Sequence, residues 1–430
     1  MSDVLNLDAW LMEDNFAALT AKQPLESVDG PDAVIFPPTF AAAEDSGEKG
    51  DYNIDFFNGE FSAKIRYRHP SEEDVQAEVS HSSNGNVCLV NTVGAEANRV
   101  EPLFRPDVAD GNYACLVPQV LIKAGTETIN LLDAGHRAGD ALIRFTKFGE
   151  QVFDAFQSLL KDGNAKSLAQ IAPTSIVFGV WDSRGTQAKL PRVFRSIVRA
   201  YDVKRLTRAA QYNRATKYVE HELIDEKLDT GKGDKNPLSR EGFKDNPAPG
   251  APGGVIAREI RRDMTINLAA IRRLRIKDVN DPAKVDMTET LKLRRYILGL
   301  ALVAATAKNP ERFDLREGCQ LRVKRGETTK WHAVRYEGED DPITNIDGRA
   351  ALAYAKLAAE EFGIKTFEPF EFDRKTAEMW LALDKKTQDK LRRQQPMTKQ
   401  FAVESNKAEE PAEAAPTEET KASTRKKRGT

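Results

Sequence analysis

The sequence predicts an α+β protein built on one core with large insertions. Strand-like alternation and helix-like spacing follow one another without the regular βαβ rhythm of a parallel sheet, and no internal repeat is visible. The chain has 430 residues, 40% of them apolar, enough for a real core and for about two to three domains' worth of chain.

The elements follow in chain order. YNIDFF from Tyr52 and AKIRYRH from Ala63 flank Asn58-Gly59 and predict a hairpin. From Gly135 to Leu160, Ala141, Leu142, Phe145, Phe148, Val152, Phe153, Phe156 and Leu159 recur at three- and four-residue spacing, which predicts one or two amphipathic helices. Ser175 to Trp181 is an apolar run ending at Asp182-Ser183-Arg184-Gly185. A buried strand delivering a polar turn is expected, with Trp181 in the core. GKGDKNPLSREGFKDNPAPGAPGG, within about 228–254, predicts a long mobile loop. Met287 to Ala307 predicts a helix, Gln320–Lys324 and Trp331–Tyr336 a hairpin around Gly326, and Arg349–Phe362 and Lys375–Arg393 two further helices. The core is expected to span 1–401. Residues 402–430 are rich in Glu, Ala, Pro, Lys and Thr, and predict a disordered charged tail ending in Arg425, Lys426, Lys427 and Arg428.

Charge is balanced overall, with 64 basic and 66 acidic residues, so only its distribution informs. From Arg184 to Lys217 ten basic residues face the single acid Asp202. A second cluster holds Arg258, Arg261, Arg262, Arg272, Arg273, Arg275 and Lys277. Arginine's planar fork suits phosphate oxygens and base stacking, and Tyr201, Tyr212 and Tyr218 are interleaved where bases could stack. The plainer alternative is a solvated face balanced by acids elsewhere.

Chemistry is sparse. The sequence contains no phosphate loop, HExxH, GxSxG or EF-hand pattern, and the five histidines and three cysteines lack metal-ligand spacing. No metal, cofactor or disulfide framework is expected, and catalysis is not expected either. His136-Arg137 with Asp133 and Asp140 is the one compact titratable group, and an ion pair explains it more simply than acid-base work. The N-terminus lacks a signal-peptide pattern and no apolar run approaches the roughly 18 residues that span a bilayer, so a cytoplasmic protein without membrane contact is expected.

Three segments carry a resemblance: Asn91 to Glu101 (NTVGAEANRVE), Leu131 to Thr146 (LLDAGHRAGDALIRFT), and Pro173 to Val203 with its Trp-Asp-Ser-Arg-Gly turn. LTRAAQY, Gly253-Gly254-Val255 and Asn267-Leu268 follow. The combination resembles the backbone subunit of the type I-G (formerly I-U) CRISPR Cascade complex, a branch of the RAMP superfamily. The resemblance implies an RNA-recognition-motif-like (ferredoxin-like) palm with thumb and finger insertions. It implies copies stacked along a CRISPR guide RNA, pairing of the guide with a target DNA strand, and contacts with other Cascade subunits. No RNP1 pattern is present.

For a surface that holds any guide by its backbone, the expected RNA-facing set is Asn98, Arg99, His136, Arg137, Arg144, Arg184, Gln187, Lys189, Arg192 and Arg195. A helix cap or local turn contact is the alternative for Asn98 and His136. The rival function is a RAMP endoribonuclease using Asp133, Asp140 or Asp182.

Overall fold

The structure is a computed structural model that describes residues 7–41, 50–56, 85–232, 235–308, 313–392 and 396, together with the backbone of 61–68 and 74–81. Its centre is an antiparallel sheet of eight strands: β1 (Phe16–Ser27), β2 (Ile54–Phe56), β3 (Asn86–Asn91), β4 (Phe194–Tyr212), β5 (Asn246–Asn267), β6 (Leu321–Val323), β7 (Lys330–Arg335) and β8 (Asp341–Ile343). The spatial order is β8-β7-β1-β5-β4-β3-β2, with β6 also on β1. The architecture is therefore mixed α+β with antiparallel sheets.

The helices that matter are α1 (Val93–Val100), α2 (Lys147–Asp162), α3 (Met287–Thr306) and α4 (Gly348–Phe362). Each starts where its cap is encoded. Thr92 Oγ1 accepts from Ala95 N, Thr146 Oγ1 from Gly149 N, Asp286 Oδ1 from Glu289 N and Asp347 Oδ1 from Ala350 N. α2 ends at Gly163, whose φ of 67° supplies the left-handed cap. α3 is apolar on nearly every side because it lies between the sheet and α4. Gly299 permits that approach, since a Cβ there would stand 2.9 Å from Ala355 Cα.

Alternation on the strands sends Leu19, Ala21, Phe194, Met264 and Ile266 into a large apolar cluster. Further along the same face, Leu25, Val198, Ala200 and Ile260 enter a smaller one. Between the clusters the face is polar: Ser196 and Arg262 are buried there, and Gln23 pairs beside Arg262. Arg262 donates to Glu96 Oε2 (3.0 Å), Ser196 Oγ (2.7 Å) and Ala305 O (3.3 Å), so α1 and α3 both reach the sheet through one guanidinium.

β4 and β5 pair over most of their length, yet β1 flanks them only to Leu25↔Ile260 and β3 only to Tyr201↔Val87. Beyond that they continue as a two-stranded ribbon to Tyr212↔Asn246, about ten residues or roughly 30 Å. Residues 213–245 close its tip, where Tyr218 meets Phe243 edge-on at 5.0 Å and Arg214 pairs with Asp245 at 2.8 Å.

Several sequence expectations change. Residues 246–254 of the expected loop lie in β5; the remainder forms the tip, apart from 233–234, which lie outside the described residues. Ile54–Phe56 pairs with β3 and the strand Phe61–Arg68 pairs with Asp74–His81, while Asn58-Gly59, around which the hairpin was expected, lies outside the described residues. β6 and β7 do not pair with each other; both run along β1, on either side of a break at 324–329. Pro173–Val177 is a buried helix, leaving a strand of only Val180–Trp181, since periodicity cannot separate a short buried helix from a strand. The tail at 402–430 lies outside the described residues.

Candidate nucleic-acid interface

The Trp-Asp-Ser-Arg-Gly turn is organised by its aspartate. Val180 and Trp181 pair with Leu190 and Lys189, and Asp182 is folded inward with 4% of its surface exposed. Its Oδ2 accepts from Thr186 N at 2.6 Å and Thr186 Oγ1 at 2.9 Å, while its backbone N–H donates to Ala188 O at 2.9 Å. Gly185 leaves room for that carboxylate: a Cβ there would lie 2.4 Å from Asp182 Oδ2. The glycine is therefore explained by a contact within the turn.

Around this anchor the cations point outward. Arg184, Gln187, Lys189 and Arg192 are exposed. Trp181 is exposed as well, at 59%, which overturns its expected place in the core; the strand is too short to carry it inward. Lys189 Nζ stands 5.4 Å from the Trp181 ring centroid, a cation over an aromatic face. Arg144 donates to Arg184 O at 3.2 Å, and burial lowers its pKa. Burial also lowers that of Arg192, with the nearby charge of Arg137 acting in the same direction. Arg392, which no sequence signal singled out, lines one small crevice with Arg144, Asp182 and Gly185. Arg195, exposed near the start of β4, stands opposite Thr265 of β5 and donates to its Oγ1 at 3.4 Å.

The other expected residues divide. Asn98 and His136 are exposed; Asn98 Oδ1 accepts from Arg137 at 3.4 Å, and the His136 backbone N–H donates to Asp140. Arg137 is buried, bonded to Glu101 Oε2 at 2.7 Å and Gly179 O at 3.3 Å, with its guanidinium 5.4 Å from the Phe178 ring centroid. Burial pushes Glu101 up to about 7, against the pull of Arg137. Arg99 donates to Glu96 Oε1 at 2.5 Å. Burial alone would raise Glu96, but Arg262, Arg99 and the Ser196 hydroxyl more than reverse it and hold the carboxyl at about 2. The guanidinium groups of Arg99 and Arg137 are thus spent inside the fold.

The three carboxylates of the nuclease alternative also have local partners. Asp133 pairs with Arg105 at 2.7 Å, Asp140 caps a short helix through Leu142 N at 2.9 Å, and Asp182 holds its turn. Among the described residues no group of three or more His, Cys, Asp or Glu could hold a metal ion, and no helix is long and apolar enough to cross a membrane.

The family model described as CRISPR-associated protein GSU0053 matches residues 19–205, from β1 through the turn into β4. No curated protein matches the chain significantly. The family match indicates a CRISPR-associated protein.

Proposed function

We propose that this chain is a guide-RNA-binding backbone subunit of a CRISPR surveillance complex of type I-G, cytoplasmic and non-catalytic, that assembles along the guide and supports its pairing with foreign DNA. The observation that carries the reading is the Asp182 turn, which fixes its backbone internally and presents Trp181, Arg184, Lys189 and Arg192 to solvent. Such a surface grips phosphates of any sequence, leaving sequence reading to base pairing. Arg144, Gln187 and Arg195 extend the contact and Asn98 and His136 form its rim. Arg99 and Arg137 act from within by positioning α1 and the segment around His136.

The strand order supports an RNA-recognition-motif-like palm. β7-β1-β5-β4 has the 4-1-3-2 order of that fold, with helices between β1 and β4 and α3 between β5 and β7. The ribbon, standing at the opposite end of β4 from the turn, fits a thumb. A ribbon at one end of each subunit that docks on the next copy would make a heterologous contact, the kind that builds a filament when it does not close. The internal commitments of Asp133, Asp140 and Asp182 favour holding RNA over cutting it. The test is mass measurement of purified protein with RNAs of increasing length. Copy number should climb in steps with length; a constant small oligomer at every length, or RNA cleavage lost in Asp182→Asn, overturns the reading.

A further inference from the structure

The C-terminal part of the chain runs up to the turn. After α4, the helices Arg374–Ala382 and Lys385–Leu391 pack on Phe145 through Ala377, Trp380 and Leu391, and the Asp373 N–H donates to Phe145 O at 2.8 Å. Arg392 and Pro396 then line the crevice shared by Arg144, Asp182 and Gly185. Whatever follows Pro396 starts at the edge of the cationic patch.

That patch is short of anions. Arg184, Lys189 and Arg192 are exposed, and among the described residues no carboxylate forms an ion pair with any of them. Burial lowers the pKa of Arg144, and Arg184 and Arg392 act in the same direction against Asp182 and Asp140, so positive charge is crowded here. Cations of the sheet and ribbon are better served: Arg205 pairs with Asp51, Arg214 with Asp245, Arg258 with Asp202 and Arg261 with Asp263.

Residues 397–430 lie outside the described residues, and their sequence carries the charge that the patch lacks. Glu404, Glu409, Glu410, Glu413, Glu418 and Glu419 stand within sixteen residues, against the single Lys407. The basic residues Lys421, Arg425, Lys426, Lys427 and Arg428 come only afterwards. Glu404 stands eight residues beyond Pro396, a reach of about 26–29 Å at full extension. We propose that residues 404–419 fold back on the turn of the same chain and pair with Arg184, Lys189 and Arg192, so that the glutamates compete with RNA phosphates for one surface. Each exposed pair is weak alone, but a short tether holds the glutamates at an effective concentration of about millimolar. A patch covered about nine-tenths of the time binds RNA about tenfold more weakly. The inference deepens the RNA-binding reading for its consequence, and rests on the chain path and the charges for the docking itself.

Docking is read without RNA, by zero-length carbodiimide coupling of full-length protein in an equal mixture of heavy-isotope-labelled and unlabelled chains. An amide between Lys189 and a glutamate of 404–419, within one chain and lost at high salt, is the expected product. Absence of that amide, or one that joins labelled to unlabelled chains at random, overturns the inference. The consequence is read by titrating oligouridylate of ~24 nucleotides. With Glu404→Gln, Glu409→Gln, Glu410→Gln, Glu413→Gln, Glu418→Gln and Glu419→Gln together, the melting temperature should stay unchanged. RNA should bind this variant about tenfold more tightly at low salt, a gap that closes as salt rises. In the Arg184→Ala/Lys189→Ala background the same changes should shift affinity by less than about twofold. An equal gain in both backgrounds, or no gain in a wild type that binds RNA, overturns competition at the turn. An intramolecular amide in a protein that binds no RNA, with or without the tail glutamates, upholds the docking and overturns the RNA-binding reading.

Discussion

The knot beneath the sheet and the turn at its edge are made from the same ingredients, one buried carboxylate and a set of cations, and they use them in opposite ways. Glu96 is spent on Arg262, Arg99, Ser196 and Asn91, so the arginines are consumed in joining α1, α3 and the sheet. Asp182 is spent on the backbone and hydroxyl of Thr186, so the cations around it remain available. Whether the acid's hydrogen bonds come from guanidinium groups or from neutral donors decides whether neighbouring arginines serve the fold or a ligand.

That contrast breaks most visibly under the sheet. Glu96→Ala leaves Arg262 buried without its carboxylate and is expected to cost about 3–5 kcal/mol in chemical denaturation. Glu96→Leu with Arg262→Met should cost less than that single change, because no lone charge remains. The low pKa of Glu96 also sets a pH window. Its stabilisation is complete above the ordinary value near 4.5 and is lost as pH falls toward about 2. Acid titration of the wild type should therefore show a loss on the order of 3 kcal/mol in that range, and Glu96→Gln should show a smaller one.

At the turn the expected effects shift from stability to binding. Gly185→Ala drives a methyl into the Asp182 carboxylate and should cost about 1–3 kcal/mol, weakening RNA binding without altering charge. Trp181→Ala removes an exposed ring and should change stability by less than about 0.5 kcal/mol. A large melting-temperature drop there would contradict the exposed position.

Much of the helical layer was legible because caps and spacing agree. Thr146 and Gly163 bound α2, and Asp286 starts α3. The ribbon was not, because Pro247, Pro249, Pro252, Gly253 and Gly254 read as loop. A strand with one partner needs only alternate N–H groups, and shifts in register at Arg205/Thr207 and Arg208/Ala210 absorb the irregularity. Gly254, at φ 94°, donates its N–H to the Tyr52 hydroxyl, a bulge that local sequence does not announce. In the candidate site, the exposed cations from Arg184 to Arg195 were readable from charge segregation. The diversion of Arg137 inward was hidden, since its carboxylate partner lies 36 residues away in sequence, whereas Glu96, one helical turn before Arg99, was a usable signal for that residue. Arg262 had a usable signal: it stands at an inward position of the alternating run Ile260, Met264, Ile266.

The most direct test of the central claim is the salt dependence of RNA binding by Arg184→Ala/Lys189→Ala, measured beside the wild type. The phosphate-led account predicts weaker binding to every sequence alike, a log-log salt slope shallower by about two contacts, and stability within about 0.5 kcal/mol of the wild type. Unchanged affinity and slope in a folded variant would contradict it.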